Sequence, residues 1–209
     1  AADVSQQEEL GRVIPTIEAI TKTFPEALVS IDTFRSGVAQ AAIEAGACMI
    51  NDISGGDRDQ EIYKIAAQNQ VPYIIMHMRG TPKTMTELTD YDNVVMEVAQ
   101  DLSKKIKKVR TLGVNDLIID PGFGFAKTSA QNYALLNKLD HLKLLEVPIL
   151  VGLSRKSMIY KLLETDPENA LNGTTVANTI ALLKGASIIR VHDVAPAMQA
   201  MRIVGALKN

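Results

Sequence analysis

Six short runs of apolar, mostly β-branched residues recur along the chain, and each follows a segment whose apolar residues repeat with helical spacing. Runs that are apolar on both faces are typical of parallel strands covered by helices. Gly46 and Gly113 follow two of the helical segments and are predicted C-caps. The pattern therefore predicts an α/β fold whose strands cover residues 28–33, 48–54, 72–78, 116–122, 148–154 and 187–193.

Polar side chains collect at the carboxyl end of every predicted strand, whereas the first halves of the strands carry almost none. Parallel strands bring their carboxyl ends to one face of a sheet, so we expect these side chains to lie together. Two architectures fit the six strands: an open sheet, or a (β/α)₈ barrel without its first two βα units. The chain has no Gly-rich nucleotide-binding motif after a strand, which weakens the open-sheet alternative. The residues at the strand ends are Asp32, Asn51, His77, Asp120, Ser154, Lys156, Arg190 and His192.

Charge and composition limit the partners. The formal net charge of −2 leaves no global basic field for nucleic acid or an anionic membrane, and no apolar run is long enough to span a bilayer. The cationic run at 104–110 has helical spacing beside Ile106 and Val109, which predicts a solvated helix face. The single cysteine, Cys48, and the lack of a signal peptide predict a cytoplasmic protein.

Asp32 and Asp120 are carboxylates at two strand ends. In a floor with little water they could accept hydrogen bonds from the N–H groups of a heterocycle, or each could cap the loop that follows it. Asn51 offers both a donor and an acceptor, which suits the edge of an amide-containing ring, although it could also stabilise a turn. Taken together, the three residues favour ligand binding over a purely structural role.

The stretch "DPGFGFAKT" (120–128) combines a rigid strand exit with two glycines, Gly122 and Gly124, that permit unusual backbone angles. Phe123 and Phe125 then stand at the polar end of the sheet. They form either a platform for a flat ligand or a loop buried under its own aromatic rings.

Two further segments concentrate cations. "GLSRKS" (152–157) places Arg155 and Lys156 where a helix begins, a conflict with the helix dipole that an anionic or polar ligand would relieve. A Schiff base on the lysine is an alternative. Arg190 and His192 are two residues apart on a strand, so they share a face and could clamp a phosphate, while Asp193 points the other way. His77 could be a base or a metal ligand, but structural hydrogen bonding is favoured.

Seven blocks match a known family in order and spacing over essentially the whole chain. They include "SIDT", "INDISG", "MHMRGTP", "DPGFGFAKT", "VGLSRKSMI" and "RVHDV". The sequence resembles bacterial dihydropteroate synthases, which are cytoplasmic TIM barrels, usually dimeric. The resemblance implies an enzyme that joins 6-hydroxymethyl-7,8-dihydropterin pyrophosphate to p-aminobenzoate, releasing pyrophosphate and 7,8-dihydropteroate for folate synthesis. It also implies a Mg²⁺ cofactor and inhibition by sulfonamides.

The resemblance assigns roles to individual residues. Asp32, Asp120 and Lys156 are the implied catalytic residues. Arg190 and His192 are the implied pyrophosphate site, and Phe125, Ser154 and Lys156 the implied p-aminobenzoate site. The implied pterin site consists of Asp32, Asn51, Met76, Asp120, Gly152 and Lys156.

The family's first two βα units, including the asparagine linked to magnesium, have no counterpart in this sequence. We therefore expect residues 1–209 to form one N-terminally truncated pterin-binding TIM-barrel domain, and we expect these 209 residues alone to be inactive. Two alternatives stay open: a corrinoid-linked methyltetrahydrofolate methyltransferase, which shares the pterin-binding barrel, and a pterin-binding remnant without catalysis.

Overall fold

The computed structural model describes residues 4–81 and 83–207, and strands alternate with helices along the chain as the sequence predicts. The rest of the predicted 1–209 domain, and Pro82 of the "MHMRGTP" block, lie outside the described residues. Each strand falls inside its predicted range and is shorter than predicted. The strands are β1 (Ser30–Asp32), β2 (Met49–Asp52), β3 (Tyr73–Met76), β4 (Leu117–Asp120), β5 (Leu150–Val151) and β6 (Ile188–Ile189).

Eight α-helices and two short 3₁₀ segments connect and follow these strands in the described part of the chain. The 3₁₀ segments are Met85–Glu87 and Leu139–Leu145. The helices are α1 (Gln6–Thr23), α2 (Ser36–Glu44), α3 (Glu61–Asn69), α4 (Val94–Thr111), α5 (Ser129–Asn137), α6 (Ser157–Leu162), α7 (Leu171–Leu183) and α8 (Val194–Ala206). None of them is long and apolar enough to cross a membrane.

Local sequence signals set several helix ends. Gly46 and Gly113 lie two residues beyond the ends of α2 and α4, with φ angles of +112° and +93°. The C-cap of α2 is Ala45, so the predicted glycine stops that helix from the position after the cap. Ser5 caps α1 by accepting a hydrogen bond from the Glu8 amide at 3.2 Å. A reciprocal pair of hydrogen bonds between Thr128 and Gln131 forms a capping box at the start of α5. This box fixes where the "DPGFGFAKT" loop ends.

The chain divides into two compact units. The first comprises the residues up to Met76 together with Lys104–Ile118, and the second comprises His77–Ser103 and the residues from Ile119 onward.

In the first unit, β1, β2 and β3 pair in parallel. Ile31 lies opposite Ile50, which in turn lies opposite Tyr73. The Tyr73 amide also donates to the Asp116 carbonyl at 2.9 Å, next to the start of β4. Strand and helix side chains together form a buried apolar core, because both faces of such a strand are covered. Its fully buried members include Ile50, Ile75, Tyr73, Val38, Ala39, Ala42 and Ile62.

In the second unit, the His77 amide donates to the Asp120 carbonyl at 2.9 Å, and Ile119 forms a parallel bridge with Ile149. β5 and β6 are parallel, with Val151 opposite Ile189. The buried core of this unit includes Ile119, Phe123, Leu135, Leu139, Leu142, Ile149, Val151 and Leu153.

The prediction of a solvated helix face for the 104–110 run is confirmed for the exposed Lys104, Lys107, Lys108 and Arg110 but is wrong for Lys105. Lys105 is 8% exposed instead of solvated. Its ammonium group reaches the Asp57 carboxylate at 2.8 Å and lies 3.4 Å from the Ser54 carbonyl. Helical spacing alone could not show this, because the partner lies 48 residues away in the β2–α3 loop.

Candidate active site

In the first unit, Asp32 and Asn51 are Cα partners in the parallel ladder at the carboxyl ends of β1 and β2. Directly paired residues of neighbouring strands present their side chains on the same face of the sheet. Ile74 is the partner of Asn51 on β3, so Met76, two residues further on, lies on that same face. Asn51 and Met76 are 7% and 2% exposed, whereas Asp32 is exposed. Three of the predicted pterin residues are thus neighbours on one sheet face.

Sequence reasoning assigned no role to Asp52, which is fully buried beside Asn51. One carboxylate oxygen accepts from the amide and the hydroxyl of Ser54 at 2.8 and 2.7 Å. The other accepts from the Gly56 amide at 2.8 Å and the Tyr73 hydroxyl at 2.6 Å. Burial and the Asp52 charge raise the pKa of Tyr73 well above its ordinary value. Four hydrogen bonds hold this loop immediately after Asn51, and so restrict the backbone that carries the Asn51 side chain.

In the second unit, the loop after β4 requires glycine at position 122. The φ angle of Gly122 is +70°, and a Cβ atom there would lie 2.0 Å from the His77 carbonyl oxygen. The turn lets the Gly122 amide donate to the Asp120 carboxylate at 2.7 Å. Further along, the Gly124 amide donates to Asn132 Oδ1 of α5 at 2.8 Å. The loop is therefore anchored to both β4 and α5.

Asp120 lies in a strongly cationic environment. Burial raises its pKa above the ordinary value, although the Gly122 amide and the charges of Lys156, Lys127 and Arg190 all act in the opposite direction. Burial also lowers the pKa of Lys156, against the attraction of Asp120. The predicted residues Lys156 and Arg190 are therefore close enough for their charges to act on Asp120, and the three form one electrostatic cluster.

The two phenylalanines of the loop differ. Phe123 is fully buried, so for this residue the loop-packing interpretation is right. Phe125 is only partly buried, and its ring lies 4.8 Å from Lys156 Nζ. The Lys156 ammonium also donates to the Phe123 carbonyl. Phe125 and Lys156, two predicted p-aminobenzoate residues, are therefore in contact.

Lys127 belongs to the same loop, and sequence reasoning assigned it no role. It is 8% exposed, and its ammonium group lies 3.0 Å from His77 Nδ1, the Gly122 carbonyl and the Phe125 carbonyl. Burial lowers its pKa from 10.5 to about 7. His77 is 2% exposed, which agrees with the structural role favoured for it. A lysine directly before a helix cap was the only sequence signal of this contact.

Arg155 of the "GLSRKS" segment has a partner within the chain, whereas the sequence predicted a ligand as the partner of its charge. Arg155 makes a bidentate pair with Asp193, with both nitrogen–oxygen distances at 2.9 Å, and also donates to the carbonyls of Pro167 and Glu168. The hydrogen bonds from Arg155 lower the pKa of Asp193. A countercharge within the chain, not a ligand, thus resolves the conflict at this arginine.

Arg190 and His192 follow β6, which ends at Ile189 and so is shorter than the strand predicted to carry them. The ladder still extends to the Arg190 amide, which donates to the Val151 carbonyl at 2.9 Å. His192 Nδ1 lies 2.9 Å from Ser154 Oγ, which also accepts from the His192 amide at 3.2 Å. A Cβ atom on Gly152 would lie 3.9 Å from Arg190 Cβ. The side chains of Arg190 and His192 are exposed, as an anion site requires.

Residues 4–81 and 83–207 contain no group of three or more His, Cys, Asp or Glu side chains that could hold a metal ion.

Comparison with known proteins places the chain in a family. Residues 1–192 match the family model described as Pterin binding enzyme. The dihydropteroate synthase of Synechocystis sp. is 46% identical over 210 residues, covering 99% of this chain and 72% of that protein. The Escherichia coli K12 dihydropteroate synthase is 43% identical over 208 residues, covering 99% of this chain and 73% of that protein.

Solved structures of dihydropteroate synthases also match this chain. The Yersinia pestis dihydropteroate synthase with a sulfonamide drug superimposes with a TM-score of 0.94 at 40% identity, covering 99% of this chain and 76% of that one. The Xanthomonas albilineans dihydropteroate synthase in complex with 7,8-dihydropteroate gives 0.90 at 39% identity, covering 98% and 76%. These matches confirm the TIM-barrel fold class, to which the described residues contribute six of the usual eight strands. The chain belongs to the dihydropteroate synthase family of pterin-binding transferases.

Proposed function

We propose that this chain carries the substrate sites for condensing 6-hydroxymethyl-7,8-dihydropterin pyrophosphate with p-aminobenzoate to give 7,8-dihydropteroate and pyrophosphate. The observation that carries the proposal is the cluster at Asp120, where one carboxylate meets the charges of Lys156, Lys127 and Arg190. A pterin ring offers N–H groups to the carboxylate, and a pyrophosphate offers negative charge to the cations.

The pterin would be held by acceptors and donors at the strand ends. Asp120 and Asp32 would accept from ring N–H groups, and Asn51 would pair with the amide edge of the ring. The carboxylates would also stabilise positive charge on the pterin as the pyrophosphate departs. Met76 and Gly152 would form the apolar walls of the pterin pocket, and the Lys156 ammonium group would be a further pterin-binding group.

The other substrate groups would occupy the loops of the second unit. Arg190 and His192 would bind the pyrophosphate and stabilise it as a leaving group. Phe125, Ser154 and Lys156 would receive p-aminobenzoate, with the aryl ring against Phe125. The arylamine would then attack the pterin methylene carbon, so no covalent bond to the enzyme is needed. Sulfonamides, which resemble p-aminobenzoate, would compete at this position.

Three further features belong to the proposal. Mg²⁺ would arrive with the pyrophosphate, since this ion is commonly bound through substrate phosphates with few protein ligands. The protein would act in the cytoplasm, where a single free cysteine is stable. It would work as a homodimer, without nucleic acid or membrane partners.

The test uses the Arg190→Ala variant and isothermal calorimetry with two ligands. The affinity for the pterin pyrophosphate should fall by about tenfold or more, the equivalent of one charged hydrogen bond, while that for the pterin alcohol stays nearly constant. Arg202→Ala, an exposed arginine on α8, is the matched control and should change neither affinity. Equal affinities together with a melting temperature lowered by several degrees would make Arg190 structural and the assignment wrong.

Product formation separates the synthase from a non-catalytic remnant. A chain that binds the pterin pyrophosphate, yet forms no dihydropteroate when p-aminobenzoate is added, is a binding module. If neither pterin ligand binds, the proposed function fails for this chain.

A further inference from the structure

Lys127 is a buried cation whose charge acts on Asp120 but to which the proposed function assigns no contact with a substrate. Its ammonium group has three protons, and three acceptors lie 3.0 Å away: His77 Nδ1, the Gly122 carbonyl and the Phe125 carbonyl. This arrangement satisfies a charged lysine completely, provided that His77 Nδ1 is unprotonated. A neutral amine has only two protons, so all three contacts would remain only if His77 Nδ1 donated to the amine. The Gly122 carbonyl also accepts from the Phe125 amide at 3.1 Å and keeps that hydrogen bond in either form.

The three acceptors show what the ammonium group holds together. Gly122 and Phe125 stand on opposite sides of the turn that follows β4, and His77 follows β3. The Phe125 carbonyl belongs to the residue whose ring contacts Lys156. Asn132 fixes Gly124 at the middle of the loop, the Phe125 amide donates to the Gly122 carbonyl, and Lys127 bonds the Phe125 carbonyl. The Lys127 ammonium group therefore helps to hold the backbone that carries the Phe125 ring.

We infer that Lys127 is a positioning residue: by bonding the Phe125 and Gly122 carbonyls it holds the Phe125 ring in the position that receives the aryl substrate, and loss of its proton weakens aryl binding. The inference rests on the proposed function, because it takes Phe125 as part of the p-aminobenzoate site. Lys127 does not contact the reacting atoms in this scheme; it acts through the loop.

The surroundings make the proton of Lys127 labile near neutral pH. Burial is the main reason that the pKa of Lys127 is lowered to about 7; the positive charges of Lys156 and Arg79 act in the same direction, and Asp120 and Asp101 act against it. His77 is the remaining titratable group in contact with the amine. A bound ligand that requires the ordered loop should favour the charged form of Lys127 by linkage.

The experiment measures binding of p-aminobenzoate and of 6-hydroxymethyl-7,8-dihydropterin by calorimetry between about pH 6 and 9, a range in which the carboxyl group of p-aminobenzoate stays ionised. The variants are Lys127→Met, which removes the hydrogen bonds, and Lys127→Arg, which keeps a permanent charge. Lys161→Met, an exposed lysine on α6, is the matched control.

In the parent protein, p-aminobenzoate affinity should fall as the pH rises through about 7. Lys127→Met should bind p-aminobenzoate about tenfold more weakly at pH 6 and lose the inflection, as expected for one lost charged hydrogen bond. Lys127→Arg should restore most of the affinity and show no inflection. Pterin affinity should stay within about threefold in every variant, because Asp120 keeps its bond from Gly122. Loss of pterin binding in the parent would instead refute the proposed function.

The inference is wrong if Lys127→Met changes only the melting temperature and leaves p-aminobenzoate affinity and its pH profile intact. If Lys127→Met does not fold, the inference is tested on the parent protein by nuclear magnetic resonance. Lysine ¹³Cε resonances would then be titrated with and without p-aminobenzoate. A Lys127 midpoint that rises on ligand addition supports the inference, and an unchanged midpoint overturns it.

Discussion

The pH dependence of folding offers a direct measure of the buried charge at Lys127. We predict that the free energy of unfolding of Lys127→Met, taken relative to that of the parent, falls by about 2 kcal/mol between about pH 7 and 9. The prediction concerns the difference between the two proteins at two pH values. Any change in hydrogen bonding when Lys127 loses its proton is already contained in its folded-state pKa, and the part of the substitution penalty that does not depend on pH cancels.

The magnitude follows from the lowered pKa. In the unfolded chain Lys127 keeps its proton up to its ordinary pKa of 10.5, whereas in the folded protein it loses the proton at about 7. Between these values the unfolded state binds more protons, so stability rises with pH, by at most about 1.4 kcal/mol per pH unit. At the lower limit the folded lysine is half protonated, which reduces the gain over two units to about 2 kcal/mol. The parent gains this stability and the methionine variant does not.

Urea unfolding should be followed by far-ultraviolet circular dichroism, since the chain has no tryptophan for fluorescence. Lys161→Met serves as the control, because an exposed lysine should leave the pH dependence of the parent unchanged. Parallel curves for the parent and Lys127→Met would mean that the lysine keeps an ordinary pKa when folded, and the argument from burial would then be refuted.

Three further predictions concern the same unit. Asp120→Asn should weaken pterin binding by about 1.5–3 kcal/mol in calorimetry, since the ionised acceptor is lost; an unchanged affinity contradicts its role. Gly122→Ala should lower the free energy of unfolding by at least about 2 kcal/mol in urea titrations, because the new Cβ would clash with the His77 carbonyl and the φ angle is positive. Gly11→Ala is the control and should not destabilise the protein, because a Cβ at this position of α1 has open space around it. Asp193→Asn should make the free energy of unfolding fall less steeply below about pH 4. The lowered pKa of Asp193 stabilises the parent above that range, and this stabilisation is lost as the carboxylate is protonated. If the variant loses stability in acid as steeply as the parent, the ion pair with Arg155 contributes nothing.

The strand pattern could be predicted because it depends on local composition. A parallel strand covered on both faces must be apolar, so the runs around Ile50, Ile74 and Ile118 mark the sheet without knowledge of its partners. The polar strand ends follow from the same logic, since polar groups are tolerated where a strand leaves the core. This is why Asp32, Asn51 and Asp120 could be identified in advance as strand-end residues, and Asp32 and Asn51 are indeed paired across β1 and β2.

Partners distant in sequence could not be predicted in the same way. Arg155 and Asp193 are 38 residues apart, and Lys127 and His77 are 50 apart. Charge and spacing within each segment suggested an anionic ligand for Arg155, whereas the fold supplies a carboxylate. Which cation receives an internal countercharge depends on how the loops after different strands approach one another, and no periodic pattern records that approach.

In the second unit, the type of hydrogen-bond partner distinguishes structural cations from functional ones. Arg155 has a bidentate carboxylate partner, so its charge is neutralised within the chain. Lys127 and Lys156 bond chiefly to carbonyl oxygens, and burial lowers the pKa of both although Asp120 attracts both charges and Asp101 also attracts that of Lys127. Lys127, Lys156 and Arg190 all act on the Asp120 carboxylate. A local excess of positive charge is unfavourable for folding unless a ligand offsets it. A pyrophosphate ester would do so, and its departure would restore the unfavourable charge, which favours binding of the next substrate molecule.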